Sequence, residues 1–150
     1  MEYAIFFEYE GQVMRLPVNP EAFKIKIPSK NETSSIIGLG DITRIAEAGL
    51  REISFSGFLP SDAQGEHVLT KGEFCEPTVY LDFWAQIKAD KKPFTFIVNR
   101  FLPDSKRIHD TNMEMTLEDY EVDEKGGEPG DFYYSLKLRQ YRPYTIRRVM

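Results

Sequence analysis

The chain has little of the equipment that most enzymes and metalloproteins need: one cysteine, two histidines and one tryptophan in 150 residues. A single thiol, Cys75, excludes an internal disulfide and suits a reducing compartment. His67, His109 and Cys75 lie far apart and lack any zinc-ligand spacing. No apolar run approaches the roughly 20 residues that a membrane-crossing helix requires. The start, Met1-Glu-Tyr-Ala-Ile-Phe-Phe-Glu8, has an early acid and no basic region, so it does not read as a secretion signal, and cytoplasmic synthesis is expected. Positive charge is in deficit: 19 Lys and Arg against 24 Asp and Glu give a net charge of −5. With a pI near 5.1, that balance argues against a protein that grips nucleic acid, which neutralises phosphates with a basic face. No internal repeat or low-complexity tract is present.

What is there is the composition of one globular domain, 41% hydrophobic and 29% charged. A chain of this length buries roughly 70% of the surface that its unfolded form exposes and folds without staples. The punctuation is regular. Ala4–Tyr9 is aromatic-rich and reads as a strand, Glu10-Gly11 as a turn, and Val13–Leu16 as the returning partner of a hairpin closed by Pro17 and Pro20. Phe23, Ile25 and Ile27 alternate with Lys24 and Lys26, the pattern of a half-buried strand ending at Pro28. Another strand starts near Thr33. Ile42–Glu47 and Leu50–Leu59 flank Ala48-Gly49, which reads as a turn between them. Ile53, Phe55, Gly57 and Leu59 share one face, and Phe58 on the other suggests that both sides of that strand are covered. Pro60 to Pro77 is polar and glycine-bearing, a long surface loop.

The helix signal is stronger. Within Thr78–Asp90, Tyr80, Phe83, Trp84 and Ile87 fall at i, i+3, i+4 and i+7, one apolar stripe, with Pro77 in the first turn and Pro93 beyond the end. Phe94–Asn99 then reads as an apolar strand, Leu102–Thr111 as loop, and Asn112–Tyr120 as an alternating strand. Glu121–Asp131 is an acidic, glycine-rich turn. Tyr134, Leu136 and Leu138 alternate with Ser135, Lys137 and Arg139, and after Pro143 a further strand is expected over Tyr144–Val149. The sum is eight or nine strands with one helix, a mainly β (α+β) fold.

Catalytic chemistry is not legible. Cys75 lies in Glu73-Phe-Cys-Glu-Pro77, an acidic setting that raises rather than lowers a thiol pKa. Asp119-Tyr-Glu-Val-Asp-Glu-Lys-Gly126 has Glu124 where a calcium loop demands glycine. Gly38-Leu-Gly40 is a fragment of a phosphate-cradling motif that opens no helix and reads as a turn. No pair of carboxylates is singled out for glycoside cleavage. The expectation is a protein that is not an enzyme and has no cofactor or metal.

Four segments in order carry a resemblance: Arg15-Leu-Pro-Val-Asn-Pro20, Gly38-Leu-Gly-Asp-Ile-Thr43, Ile53-Ser-Phe-Ser-Gly-Phe-Leu-Pro60 and Gly130-Asp-Phe-Tyr-Tyr-Ser-Leu-Lys-Leu-Arg-Gln-Tyr-Arg142. Together with the Trp84 helix and the following Lys92-Pro-Phe-Thr-Phe-Ile-Val98, the chain resembles the N-terminal, pre-LysM domain of baseplate and tail-tube adaptor proteins of contractile phage tails and phage-like elements in Gram-positive bacteria. The resemblance spans almost the whole chain, which stops at Met150 where a LysM module would begin, so residues 1–150 are expected to form a single tail-tube-like domain without that module.

The resemblance implies a tail-tube-like β-sandwich or open barrel with one flanking amphipathic helix, placed in the virion tail or baseplate and assembled in the host cytoplasm. It implies a structural role, a hub-to-tube adaptor and tube initiator, in a phage or a phage-like bacteriocin. Its partners would be other copies of itself in a ring, tail tube, hub or spike and baseplate wedge proteins, with DNA only in transit through a lumen and no membrane. The absence of an internal duplication leans towards six copies over three. Rings of this kind need complementary edges. The expected edges are the opening strand, with Ala4, Phe6 and Glu8, and the closing strand, with Tyr144 and Ile146. The basic cluster Arg139, Arg142, Arg147 and Arg148 would meet acidic neighbours, and the stretches 61–73 and 124–130 would order on assembly. Two other classes stay open: a carbohydrate or peptidoglycan-binding module presenting Tyr133, Tyr141 and Tyr144, and a small wall-degrading hydrolase.

Overall fold

The structure is a computed structural model that describes residues 2–20, 22–46, 48–62, 75–104, 106–127 and 129–143. Among them are nine strands and one helix: β1 (Glu2–Tyr9), β2 (Gln12–Arg15), β3 (Lys24–Lys26), β4 (Glu32–Ile36), β5 (Gly40–Arg44), β6 (Glu52–Leu59), α1 (Pro77–Asp90), β7 (Phe94–Phe101), β8 (Arg107–Glu124) and β9 (Phe132–Gln140). Seven strands form one antiparallel sheet in the order β2-β1-β7-β8-β9-β6-β3, and β4 and β5 form a separate pair. The mainly β fold with one helix is therefore as expected, and the sheet is open, with no barrel closure between β2 and β3. The proposed strand over residues 144–149 and most of the 60–77 loop lie outside the described residues.

The opening hairpin follows from its turn, where Glu10 and Gly11 take positive φ of 48° and 81°, the two-residue geometry that matches strand twist. Register then places Phe7 opposite Phe96, Phe96 opposite Met113, Leu117 opposite Leu138 and Leu138 opposite Ile53. Every one of these lies on the same side of the sheet, so a single apolar face runs from β1 across to β6. The other face carries Glu8, Thr95, Glu114, Thr116, Arg139 and Glu52, all polar.

Helix α1 covers the apolar face. Tyr80, Phe83, Trp84 and Ile87 are all buried, as their spacing predicts. Trp84 meets Phe7 at 5.8 Å and Tyr134 at 5.1 Å between ring centroids, joining strands that are three places apart in the sheet. No side chain caps the helix start at Glu76, an omission of about 1 kcal/mol. Burial of the four stripe residues, at about 1.5–3 kcal/mol each, outweighs it. At the other end, Lys88 Nζ donates to the Leu117 carbonyl at 3.2 Å and to that of Glu118, at the bulge in β8. Tyr80 donates its hydroxyl to the Arg15 carbonyl at 2.5 Å.

Several boundaries differ from the sequence reading. β3 has only three residues, all exposed, with Ile25 43% and Ile27 60% exposed; its alternation reflects an edge that is wet on both faces. β8 runs 18 residues, taking in 107–111, read as loop because residues pairing at a solvated sheet end show no apolar period. Ala48-Gly49 does not link two strands of one hairpin. Gly40–Arg44 folds back on Glu32–Ile36 instead.

Gly57 lies under the Tyr134 ring, and a Cβ there would sit 2.7 Å from the Tyr134 hydroxyl. That hydroxyl is buried with no hydrogen-bond partner, and burial holds its pKa far above the ordinary tyrosine value. Gly57→Ala is expected to destabilise by about 1–3 kcal/mol through overpacking. Tyr134→Phe removes the unsatisfied hydroxyl, so it should be neutral or stabilising by up to about 1 kcal/mol and should soften the Gly57→Ala defect. Urea midpoints of the two single variants and the double variant check both.

The Tyr9 hydroxyl donates to the Asp90 carboxylate, tying β1 to the end of α1. The bond raises the Tyr9 pKa to about 12 and, as its main cause, lowers that of Asp90 from 3.8. The carboxylate contribution is present above the ordinary carboxylate range and lost as the pH falls through the depressed folded value. The phenol contribution is complete below the ordinary tyrosine value and lost as the pH rises through about 12. Tyr9→Phe is therefore expected to lower stability most in the neutral range, with the gap to wild type closing in strong acid and strong base; chemical unfolding as a function of pH measures it.

Candidate assembly interface

The chain from Pro28 to Gly49 leaves the body as an arm. Its neck is closed by the Gly49 N–H donating to the Pro28 carbonyl at 2.8 Å, by a bridge between Ser29 and Ala48, and by the Ala46 N–H donating to Asn31 Oδ1 at 2.8 Å. Beyond the neck, β4 and β5 pair only with each other, from Glu32 opposite Arg44 to Ile36 opposite Gly40. Ser35 Oγ donates to Asp41 at 2.6 Å across the pair. The tip is a tight turn in which the Leu39 N–H donates to the Ile36 carbonyl at 3.1 Å. Gly38, third in that turn, has φ of 91°, a conformation that glycine adopts without steric cost.

Every residue of β4 and β5 is exposed. Of the exposed large apolar side chains, Ile36, Ile37, Leu39, Ile42 and Ile45 fall within residues 36–45 of the arm, with Ile37 103%, Ile45 85% and Leu39 74% exposed. Isolated surface leucines need no explanation, but five apolar side chains on one projecting arm are an exposed patch, and such patches mark interaction sites. A two-stranded hairpin is marginal alone in water. The sequence carried the turn signal at Gly38-Leu-Gly40; the exposure of the isoleucines around it was not legible, because apolar residues beside a turn read as core.

A second feature lies on the body. Where β3 ends at Lys24, the upstream chain diverges from β6 and leaves an open groove of about 890 Å³ lined by Val18, Asn19, Pro20, Phe23, Ser54, Ser56, Phe58, Asp123 and Tyr133, among others. Phe23 meets Phe55 edge-on at 5.1 Å, and Phe58 stacks on Tyr133 at 5.8 Å. Among the described residues the one carboxylate lining this groove is Asp123, with no second acid paired to it as in a glycosidase. Among the described residues no cluster of three or more metal-ligating side chains occurs, and no helix is long and apolar enough to cross a membrane. Cys75 is half-buried and packs against the core.

Of the residues expected at subunit edges, the described ones fall in two places, Ala4, Phe6 and Glu8 on β1 and Arg139 and Arg142 on and just beyond β9. β1 is not an edge strand: β7 pairs along Glu2–Glu8 on one side and β2 along Phe6–Tyr9 on the other, because the Glu10-Gly11 turn folds β2 onto it. Ala4 is buried, Phe6 is half-buried with the Arg15 guanidinium 5.8 Å above its ring, and Glu8 is exposed. Arg139 shares the polar face with Glu8, two intervening strands away. Its guanidinium is engaged within the molecule, 3.2 Å from Glu52 and 3.6 Å from Glu118. Arg142 is exposed beyond β9. Tyr144, Ile146, Arg147 and Arg148 lie outside the described residues.

No protein-family model matches the sequence. The chain is similar to the uncharacterized protein YqbP of Bacillus subtilis (strain 168), with 30% identity over 150 residues, covering 98% of this chain and 63% of that protein. The chain thus spans less than two thirds of the length of the relative it matches. Among solved structures, a chain from the tail of an empty gene transfer agent particle, refined with C6 symmetry, aligns over 97% of this chain and 95% of its own length with a TM-score of 0.56 and 13% identity. A chain from the virion of a native gene transfer agent aligns over 93% and 92% with a TM-score of 0.51 and 13% identity. One from the six-fold symmetrised baseplate of the anti-feeding prophage aligns over 93% and 89% with a TM-score of 0.55 and 6% identity. At these identities the likeness is one of fold, and the fold is that of chains found in phage-like tails and baseplates.

Proposed function

We propose that this chain is a structural component of a contractile phage or phage-like bacteriocin tail, a hub-to-tube adaptor of the baseplate that sits as a ring of six copies on the tail axis and initiates the tube. Its work is mechanical and not catalytic. The observation that carries the reading is the fold likeness, over nearly the whole chain, to a particle tail with C6 symmetry, joined to an arm whose apolar side chains are exposed in the single subunit. The motif resemblance in the sequence points the same way. In this reading residues 1–150 are one tail-tube-like domain, its neighbours are tail tube, hub and wedge proteins, and DNA only passes through the lumen. A ring of acidic subunits, each of net charge −5, repels DNA phosphates instead of holding them.

The polar contacts of the ring follow from what is exposed. Glu8 and Arg142 are exposed and are proposed as contacts, together with Tyr144, Ile146, Arg147 and Arg148, the arginines meeting acidic neighbours. Arg139, held by Glu52 and Glu118, fixes the sheet and reaches a partner only by giving up those pairs; Ala4 and Phe6 support the strand from which Glu8 projects. Removal of the protein is expected to arrest tail assembly before the tube grows, seen by electron microscopy of lysates. Arg147→Glu with Arg148→Glu is expected to leave the monomer folded and to block assembly. Full-length tubes in the absence of the protein would refute the role, and normal tails from the double variant would refute the contact.

A further inference from the structure

The arm and the groove are related. β3 closes on β6 over three pairs, Lys26 with Glu52, Ile25 with Ile53 and Lys24 with Ser54. The arm leaves from the Lys26 end, and the groove opens at the Lys24 end. Beyond Ser54, β6 is paired with β9 on one side, and no described strand lies along the other. A sheet edge beside an apolar trough is a template for an added strand. Asn19 Oδ1, on the wall of the groove, is a buried acceptor without a hydrogen-bond partner, which an incoming backbone N–H would satisfy.

We propose that this groove receives the tip of the β4–β5 arm of a second copy; the inference rests on the ring reading above and names the contact that builds the ring. The tip, with Ile37 and Leu39 exposed, does not fill the groove of its own molecule. The outer edges of β4 and β5 carry no described strand, so the arm brings backbone groups to the β6 edge as well as apolar side chains to Phe23 and Phe58. The charges match in kind: among the described residues the groove has one base, Lys24, and one acid, Asp123, and β5 carries Asp41 and Arg44. Because the two surfaces are different and lie at opposite ends of the β3–β6 pair, the contact is head-to-tail. Such a contact repeats from copy to copy until the rotation closes, unlike the two-fold contact of an ordinary dimer.

The test uses thiols in assembled particles, on a Cys75→Ser background. Leu39→Cys and Ser56→Cys, both at exposed positions, are carried by separate copies and co-expressed. Mild oxidation is expected to give a covalent species of twice the 17.4 kDa chain mass only when both variants are present, and not with either alone. Both variants present in the ring without that species would overturn the docking while leaving the ring reading intact. Absence of even the wild-type chain from purified tails would remove the ring reading and the docking with it. As a second measurement, Ile37→Asp with Leu39→Asp is expected to keep the wild-type melting curve and be excluded from particles. Its incorporation at the wild-type level would overturn the docking.

Discussion

The fold hangs on the seating of one indole. Trp84 lies against Phe7 of β1 and Tyr134 of β9, while Tyr80 and Ile87 of the same helix are buried beside it. The sheet is open, so nothing in its hydrogen-bonding holds β2 near β3. What keeps the apolar face dry is a helix thick enough to cover it. With the core closed by side-chain packing instead of by a sealed barrel, both sheet edges and the arm are released from the job of maintaining the monomer. Each edge strand is also short, four residues in β2 and three in β3, so neither fully covers the strand next to it.

That division of labour shows in the chemistry of the two halves. The core is aromatic and poor in polar groups: the Tyr80 and Tyr9 hydroxyls find acceptors at its margin, and the Trp84 indole N–H and the Tyr134 hydroxyl are buried without partners. The polar face is knitted by local pairs such as Arg139 with Glu52 and Glu118. The arm has no buried core of its own. Its neck is fixed by backbone hydrogen bonds and by Asn31, Ser35 bonds Asp41 across it, and its length projects isoleucine and leucine into solvent. A monomer optimised for solubility would not keep such a surface. A subunit whose neighbour covers it would.

Much of this was legible in the residues. The Glu10-Gly11 turn, the Tyr80, Phe83, Trp84, Ile87 stripe and the alternation through Tyr134, Leu136 and Leu138 each carry their own period or turn chemistry, and each element is present where the sequence puts it. The failures have a common cause. Hydrophobic alternation in 23–27 reads as a half-buried strand and Ile42–Glu47 as one side of a turn at Ala48-Gly49, but β3 is an exposed edge strand on β6 and β5 pairs with β4 in an exposed arm. The 107–111 stretch failed in the opposite sense: it is a strand with no apolar face. The candidate interface was the least legible part. Charge clusters and terminal strands drew attention to Ala4, Phe6 and Arg139, whereas exposed isoleucines on an arm and a groove beside β6 emerge only once the topology is known.

The account makes the chain a ring subunit whose arm engages its neighbour. Electron cryomicroscopy of the intact particle tests that claim most directly. The account predicts six copies around the tail axis at the base of the tube, with continuous density from each arm into the trough beside β6 of the next copy. A map with the chain off the axis, or in a ring whose arms point into solvent, would contradict it.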